Sequence, residues 1–239
     1  MKRTTGTNAI RCLALLLAVG VAQQATSQAT QTRYTKMAPI DQYLMADRAA
    51  EIALARSAAP ESIARDAEVQ VLTRHGFETA VKGTNGFVCV VQRSWTSSPD
   101  FWNPKVQVPI CLNAAGARSY LLRDAEETEW GLAGRTPDQI NRDIAHAISQ
   151  KQVPPMEPGA MCYIMSKGGY AGDGVPHWPS HLMFFYTDVD LSSWGANLPG
   201  SPVIGVSDPV EHVTQFVVVV QRWSDGTEYH EDANVAHQH

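Results

Sequence analysis

Apolar positions recur along the chain with two spacings, and the switches between them mark out the elements. From Asp41 to Ala59, Met45, Ala49, Ile52 and Ala53 fall at helical spacing with Arg48 and Glu51 off the stripe, and Pro60 ends the segment. This predicts a first helix. Val69, Val71 and Thr73 then alternate as in a short strand, and Gly83-Thr84-Asn85-Gly86 offers the positive φ that a tight hairpin needs. Further strands are expected over 86–95 and 106–112. The stretch 114–130 is polar with Leu121, Leu122 and Ala125 inside it, which predicts a surface helix closed by Gly131 and Gly134. Its acidic run, Asp124 to Glu129, lacks the alternating oxygen ligands and central glycine of a calcium loop and reads as a solvated face.

The next helix carries a stronger start signal. Thr136 suits the N-cap, Pro137 the first helical position, and Gln139 completes a capping box ahead of the stripe Ile140, Ile144, Ala147 and Ile148. Pro154, Pro155 and Pro158 end it, a strand follows at 161–165, and 168–179 is a long loop rich in Gly and Pro. Leu182 to Tyr186 and Phe216 to Val220 are continuous apolar runs, as in strands covered on both faces. The sum is an α+β fold: a single domain over 40–223, largely antiparallel, with about three helices packed on the sheet and a polar tail over 224–239.

Ahead of that domain the pattern changes. Lys2, Arg3 and Arg11 precede the apolar run Leu13 to Ala22, and Gln23-Gln24 follow at once, the layout of a secretory signal peptide over 1–22. The run is about half of the roughly 20 residues that cross a bilayer, so no membrane span is expected. Arg11 directly before Cys12 argues against a lipid anchor. A polar leader over 23–39 leads into the fold, and the expected location is the periplasm or the medium. The chain's 239 residues carry a formal charge of -5, and cleavage, which removes three basic and no acidic residues, takes it to -8. Nucleic acid is excluded as a partner, because its binding draws on lysine and arginine neutralising phosphate.

Export also bears on the cysteines. Cys89, Cys111 and Cys162 remain after cleavage, an odd number. Cys89 and Cys111 fall in adjacent predicted strands, where a disulfide would close a loop of roughly two dozen residues and contribute about 3 kcal/mol. The other reading is that all three are buried thiols.

Several segments together carry a resemblance: Arg56-Ser57-Ala58-Ala59-Pro60, Gly83 to Cys89, Pro109-Ile110-Cys111 with Gly116 soon after, Ala133 to Thr136, and His181 to Tyr186. Over about 41–221 the chain resembles an uncharacterised family of exported bacterial proteins. The resemblance implies export and a single domain. It implies no reaction, substrate or cofactor.

The densest group of reactive side chains is Asp173, His177 and His181 in the 168–181 segment. A tight turn at Trp178-Pro179 could bring both imidazoles to one divalent metal such as zinc, with Asp173 or a side chain from elsewhere as third ligand. The alternative is two loop histidines bonded to backbone. Cys162 sits among Met161, Tyr163, Ile164 and Met165, apolar bulk that disfavours a thiolate, and Ser166 and Ser180 lack the context of a serine nucleophile. Trp95, Trp102, Trp178, Trp194 and Trp223, in or beside loops, could form an aromatic platform. Two functions follow. The first is an exported non-catalytic protein that binds a small molecule or an envelope protein through the 168–181 loop. The second is a metal-dependent hydrolase-like enzyme using His177 and His181.

Overall fold

Residues 34–97 and 100–230 are described by a computed structural model. The expected signal peptide and most of the leader lie outside them, as do the last nine residues of the tail. The described residues hold eight strands: β1 (Glu68–Thr73), β2 (Gly76–Val81), β3 (Val88–Gln92), β4 (Val108–Leu112), β5 (Met161–Ile164), β6 (His181–Tyr186), β7 (Val203–Asp208) and β8 (Val213–Val219). Six α-helices accompany them: α1 (Arg48–Arg56), α2 (Glu61–Ala64), α3 (Ser94–Ser97), α4 (Ala114–Arg118), α5 (Tyr120–Leu132) and α6 (Pro137–Ser149). The strands form one sheet in the order β2-β1-β3-β4-β5-β6-β8-β7. Every neighbouring pair is antiparallel except β1 and β3. The α+β class and the largely antiparallel sheet hold, with twice the expected number of helices.

The first helix is shorter than its apolar spacing predicts and buries a different face. Asp47 ends the extended lead-in by accepting from Ala49 N at 2.8 Å and Ala50 N at 3.3 Å, so α1 starts only at Arg48. Ala49 and Ala53 are exposed, whereas Glu51 is buried. The cause is Arg93, whose guanidinium is wholly buried and donates to Glu51 Oε1 at 2.9 Å, to Val91 O at 2.5 Å and to Tyr43 O at 2.7 Å. Glu51 Oε1 also accepts from Leu72 N at 3.1 Å. A charge pair that satisfies its own hydrogen bonds takes a place the apolar pattern assigned to alanine.

The first hairpin also lies elsewhere. β1 and β2 turn at Arg74-His75, with Thr73 paired to Gly76, and the Gly83–Gly86 segment leads instead into β3, which runs parallel to β1. Gly86 does have a positive φ of 79°. Its neighbour Asn85 is spent on other partners: Nδ2 donates to Ile63 O at 2.8 Å and Oδ1 accepts from Phe87 N at 3.0 Å.

Helices cover both faces of the β1–β3–β4 region. Ala55, Ala58, Ala59, Ala64 and Ala67, from α1, α2 and the segments beside them, pack against Val69, Cys89, Val91 and Cys111. On the other face Leu121 of α5 joins Val90, Ile110, Leu112, Cys162 and Phe185, and Tyr120 stacks on Phe185 at 4.0 Å. Thus α5 is not a surface helix: Leu121, Arg123, Asp124, Glu127, Thr128, Gly131 and Leu132 are buried. By contrast α6 follows its sequence signal, with the capping box formed and Ile140, Ile144 and Ala147 buried.

Both ends of the expected domain extend further. Met37, Ala38 and Ile40 pack with Tyr43, Leu72, Trp95 and Leu132, so ordered structure begins before Ile40. Residues 224–230 fold back, with Ser224 N donating to Met165 O and Tyr229 N to Gln221 O, each at 2.9 Å. The edge strand β7 is plugged by Asn197: its side chain bonds both Gly205 O (2.8 Å) and Gly205 N (2.9 Å), and its N–H bonds Val203 O at 3.0 Å. One residue thereby occupies three of the backbone groups along this edge, at Val203 and Gly205, that a foreign strand would use.

Candidate functional site

The β5–β6 loop is tied down along its length. Gln107 and Tyr170 exchange two backbone bonds of 2.9 Å, Ala171 N donates to Pro176 O at 2.9 Å, and Met165 N donates to Ala58 O at 2.9 Å. Asp173 N donates to Asp100 Oδ2 at 2.9 Å. Gly169 passes so close to the sheet that a Cβ there would come within 2.9 Å of Pro109 Cδ, which makes glycine a packing requirement. Between loop and sheet lies a shallow slot open to solvent, with an enclosed volume of only about 10 Å³. Val108, Pro109, Ile164 and Ala171 line it with apolar surface, and Ser166, Tyr170, His177 and Trp178 add polar and aromatic groups.

The three residues proposed for a metal have separate surroundings. His177 is exposed and helps line the slot. His181 is buried in β6, and its Nδ1 lies 2.6 Å from Pro179 O. A carbonyl only accepts, so Nδ1 carries the proton in that bond, and burial holds the imidazole pKa down and the ring neutral. Asp173 engages two phenols, Tyr170 Oη through a short hydrogen bond and Tyr34 Oη at 3.0 Å. The bond to Asp173 is the main reason that the Tyr170 pKa rises to about 12. Among the described residues no three His, Cys, Asp or Glu side chains are grouped so as to hold a metal ion. His177, His181 and Asp173 are thus not brought together among the described residues, with His181 buried in β6, His177 exposed beside the slot and Asp173 bonded to two tyrosines.

The cysteines divide as pair and remainder. The Cys89 and Cys111 sulfurs are 2.05 Å apart, at disulfide distance, and their residues face each other across β3 and β4. Cys162 is a buried free thiol, its pKa driven far up by burial. Ser166 Oγ lies 2.5 Å from Ser57 Oγ and Ser180 Oγ donates to Arg222 O at 2.6 Å, so neither has a base as partner in these bonds. The tryptophans do not make one platform. Trp95 and Trp102 are core, and Trp194 stacks on Phe216 at 4.5 Å.

Two side chains of the acidic run, expected to face solvent, lie inside the fold. Asp124 and Glu127 of α5 are buried; Asp124 Oδ2 accepts from Gln92 Nε2 at 2.7 Å, and burial lifts its pKa to about 6. Burial first, then the charge of Glu211 in the β7–β8 turn, pushes the Glu127 pKa well above its ordinary value. The spacing Tyr120, Asp124, Glu127, Gly131 marks one helical face, and that periodicity was the available signal. No pocket of the described residues opens onto this group among those lined by the loop or by the Arg74, His75 and Glu129 surface.

The chain matches no protein-family model, no curated protein and no solved structure. Among the described residues no helix is long and apolar enough to cross a membrane.

Proposed function

We propose that this is an exported, non-catalytic binding protein that meets an apolar or aromatic side chain of an envelope protein at the shallow slot beside the β5–β6 loop. The observation that carries this reading is the slot's composition: an apolar floor of Val108, Pro109 and Ile164 beside Trp178, which is 37% exposed. Aromatic residues left at a surface are enriched where proteins meet partners. The slot encloses only about 10 Å³, far below the roughly 300–1,000 Å³ of small-molecule pockets, which favours contact with the open surface of a larger partner over enclosure of a whole small molecule. Export rests on the signal-like residues 1–22, and the Cys89–Cys111 pair suits an oxidising compartment.

The test is a titration with short peptides bearing Pro, Phe, Trp or Leu, read by backbone amide NMR shifts. Saturable shifts confined to 164–171 and 176–179 are expected, lost in Trp178→Ala with the fold intact by circular dichroism. No saturable shift at millimolar peptide would overturn the reading. Elemental analysis tests the hydrolase alternative: near-stoichiometric zinc in the purified protein, absent from a His177→Ala/His181→Ala double variant, would replace binding by metal chemistry.

A further inference from the structure

Beside the β1–β2 turn lies a second cleft, which shares no lining residue with the loop slot. It holds about 300 Å³, at the lower end of the roughly 300–1,000 Å³ of small-molecule sites, and Arg74, His75, Glu129, Leu132 and Ala133 line it. Two short pieces of chain make it. One is the Arg74-His75 turn, held from within by Thr73 Oγ1, which accepts from His75 N at 3.1 Å and donates to Gly76 O at 2.9 Å. The other is the last turn of α5 with its cap, Ala133. Gly76 lets the two approach: its φ is 106°, and a Cβ there would stand 3.4 Å from Glu129 Cγ and 3.5 Å from Glu129 Oε1. The Glu129 carboxylate therefore lies against the turn.

Charge decides what such a cleft takes. The C-terminal end of a helix carries partial negative charge and is ordinarily matched by Lys, Arg or His in the last turn. The last turn of α5 has no basic residue and carries Glu129 instead, a local conflict of the kind that folds retain at functional sites. The arginines on either side are committed to other carboxylates. Arg74 Nη2 donates to Asp41 Oδ1 in a short hydrogen bond, and Arg135 Nη1 lies 2.8 Å from Asp143 Oδ2. Among the described residues the Glu129 carboxylate and the His75 imidazole have neither a hydrogen bond nor an ion pair. With Arg74 balanced by Asp41, the uncompensated charge of the cleft is negative, and Leu132 and Ala133 set apolar surface beside it.

We propose that the cleft between the β1–β2 turn and the C-terminal end of α5 binds a primary alkylammonium group, its N–H donors on the Glu129 carboxylate and its aliphatic chain along Leu132 and Ala133. The carboxylate supplies a charge-assisted acceptor, and the helix end adds its partial charge of the same sign. His75 offers a ring nitrogen to a further polar group of the ligand. A bare metal ion asks for more, since no three His, Cys, Asp or Glu side chains are grouped among the described residues to hold one. An anionic ligand would meet the charge of Glu129. Free amines and lysine side chains share the chemistry that fits.

Backbone amide NMR on the whole protein at constant ionic strength tests this with three probes. They are 1,5-diaminopentane as a free amine, Nα-acetyl-lysine amide as the side-chain source, and pentanoate as a chain of similar length and opposite charge. Saturable shifts over 74–76 and 129–134 are expected with at least one amine and not with pentanoate, and the amine of lower Kd identifies the source. Glu129 is exposed, so Glu129→Gln keeps the fold, and it should weaken amine binding at least about fivefold. Trp178→Ala, which alters the loop slot, should leave amine binding unchanged. The proposal is overturned by the absence of saturable shifts with both amines up to about 50 mM. Wild-type amine binding by Glu129→Gln, the same shifts with pentanoate, or loss of amine binding in Trp178→Ala would overturn it equally.

Discussion

Glu51 shows how a single residue can redirect an element. Its carboxylate is buried with Arg93 and accepts from both the guanidinium and Leu72 N, so removing it strands a cation and a backbone N–H in the core. Glu51→Ala is therefore expected to cost about 3 to 5 kcal/mol in urea-induced unfolding, the range for breaking one side of a buried pair. A loss under about 1 kcal/mol would mean that water reaches Arg93 once the carboxylate is gone. Legibility at this scale is uneven. Thr136, Pro137 and Gln139 could be read because a cap acts over four neighbouring residues. Glu51 could not, because its partner lies 42 positions away.

At the scale of elements, the β3–β4 pairing joins sequence and structure most directly. Cys89 opposes Cys111 in register, and the pair closes a segment with a sequence separation of 22. Replacing both by alanine should lower stability by about 3 kcal/mol in the chain-entropy estimate, measured against wild type under non-reducing denaturation. An unchanged midpoint would show that the unfolded chain gains little freedom from losing the link. Six of the eight strands were legible in the sequence, β2 and β7 were not, and the Asn85-Gly86 hairpin was not realised. Turn chemistry supplies a φ value, and which strands then pair depends on the hydrogen bonds that Asn85 makes with Ile63 and on the packing of α2.

Across the whole molecule, buried carboxyls set the pH response. Asp124 is raised to about 6, Glu211 to about 7 and Glu127 well above its ordinary value. The folded state therefore holds these protons more tightly than the unfolded chain, and the stability they contribute is complete below the ordinary carboxyl range and lost as pH rises through the raised values. His181 acts in the other direction, since its lowered pKa costs stability as pH falls below about 6.5. Between about pH 6.5 and 8.5 only the carboxyl trend operates among these groups, and the unfolding free energy should fall by something on the order of 2 kcal/mol. Chemical denaturation at several pH values checks this, and a rise over that window would contradict the burial of the Glu127–Glu211 pair. The loop slot belongs to this scale as well. Its polar members were visible in the 168–181 segment, but Val108, Pro109 and Ile164 come from two strands that only the sheet order brings beneath them.

What the sequence by itself determined is whatever depends on neighbours within a turn or two of chain: the α6 cap and stripe, six of the eight strand segments, the α+β class and the adjacency of Cys89 and Cys111. What only the tertiary structure decided is the fate of charge. Asp124 and Glu127 read as part of a solvated face and Glu51 as off the apolar stripe because desolvating an ion is costly, and they are buried, Glu51 together with Arg93, because distant partners or retained protons offset that cost. Asp173 and His181, which local spacing offered to a metal, are committed to tyrosine hydroxyls and a backbone carbonyl for the same reason: a polar atom takes the partner the fold brings nearest.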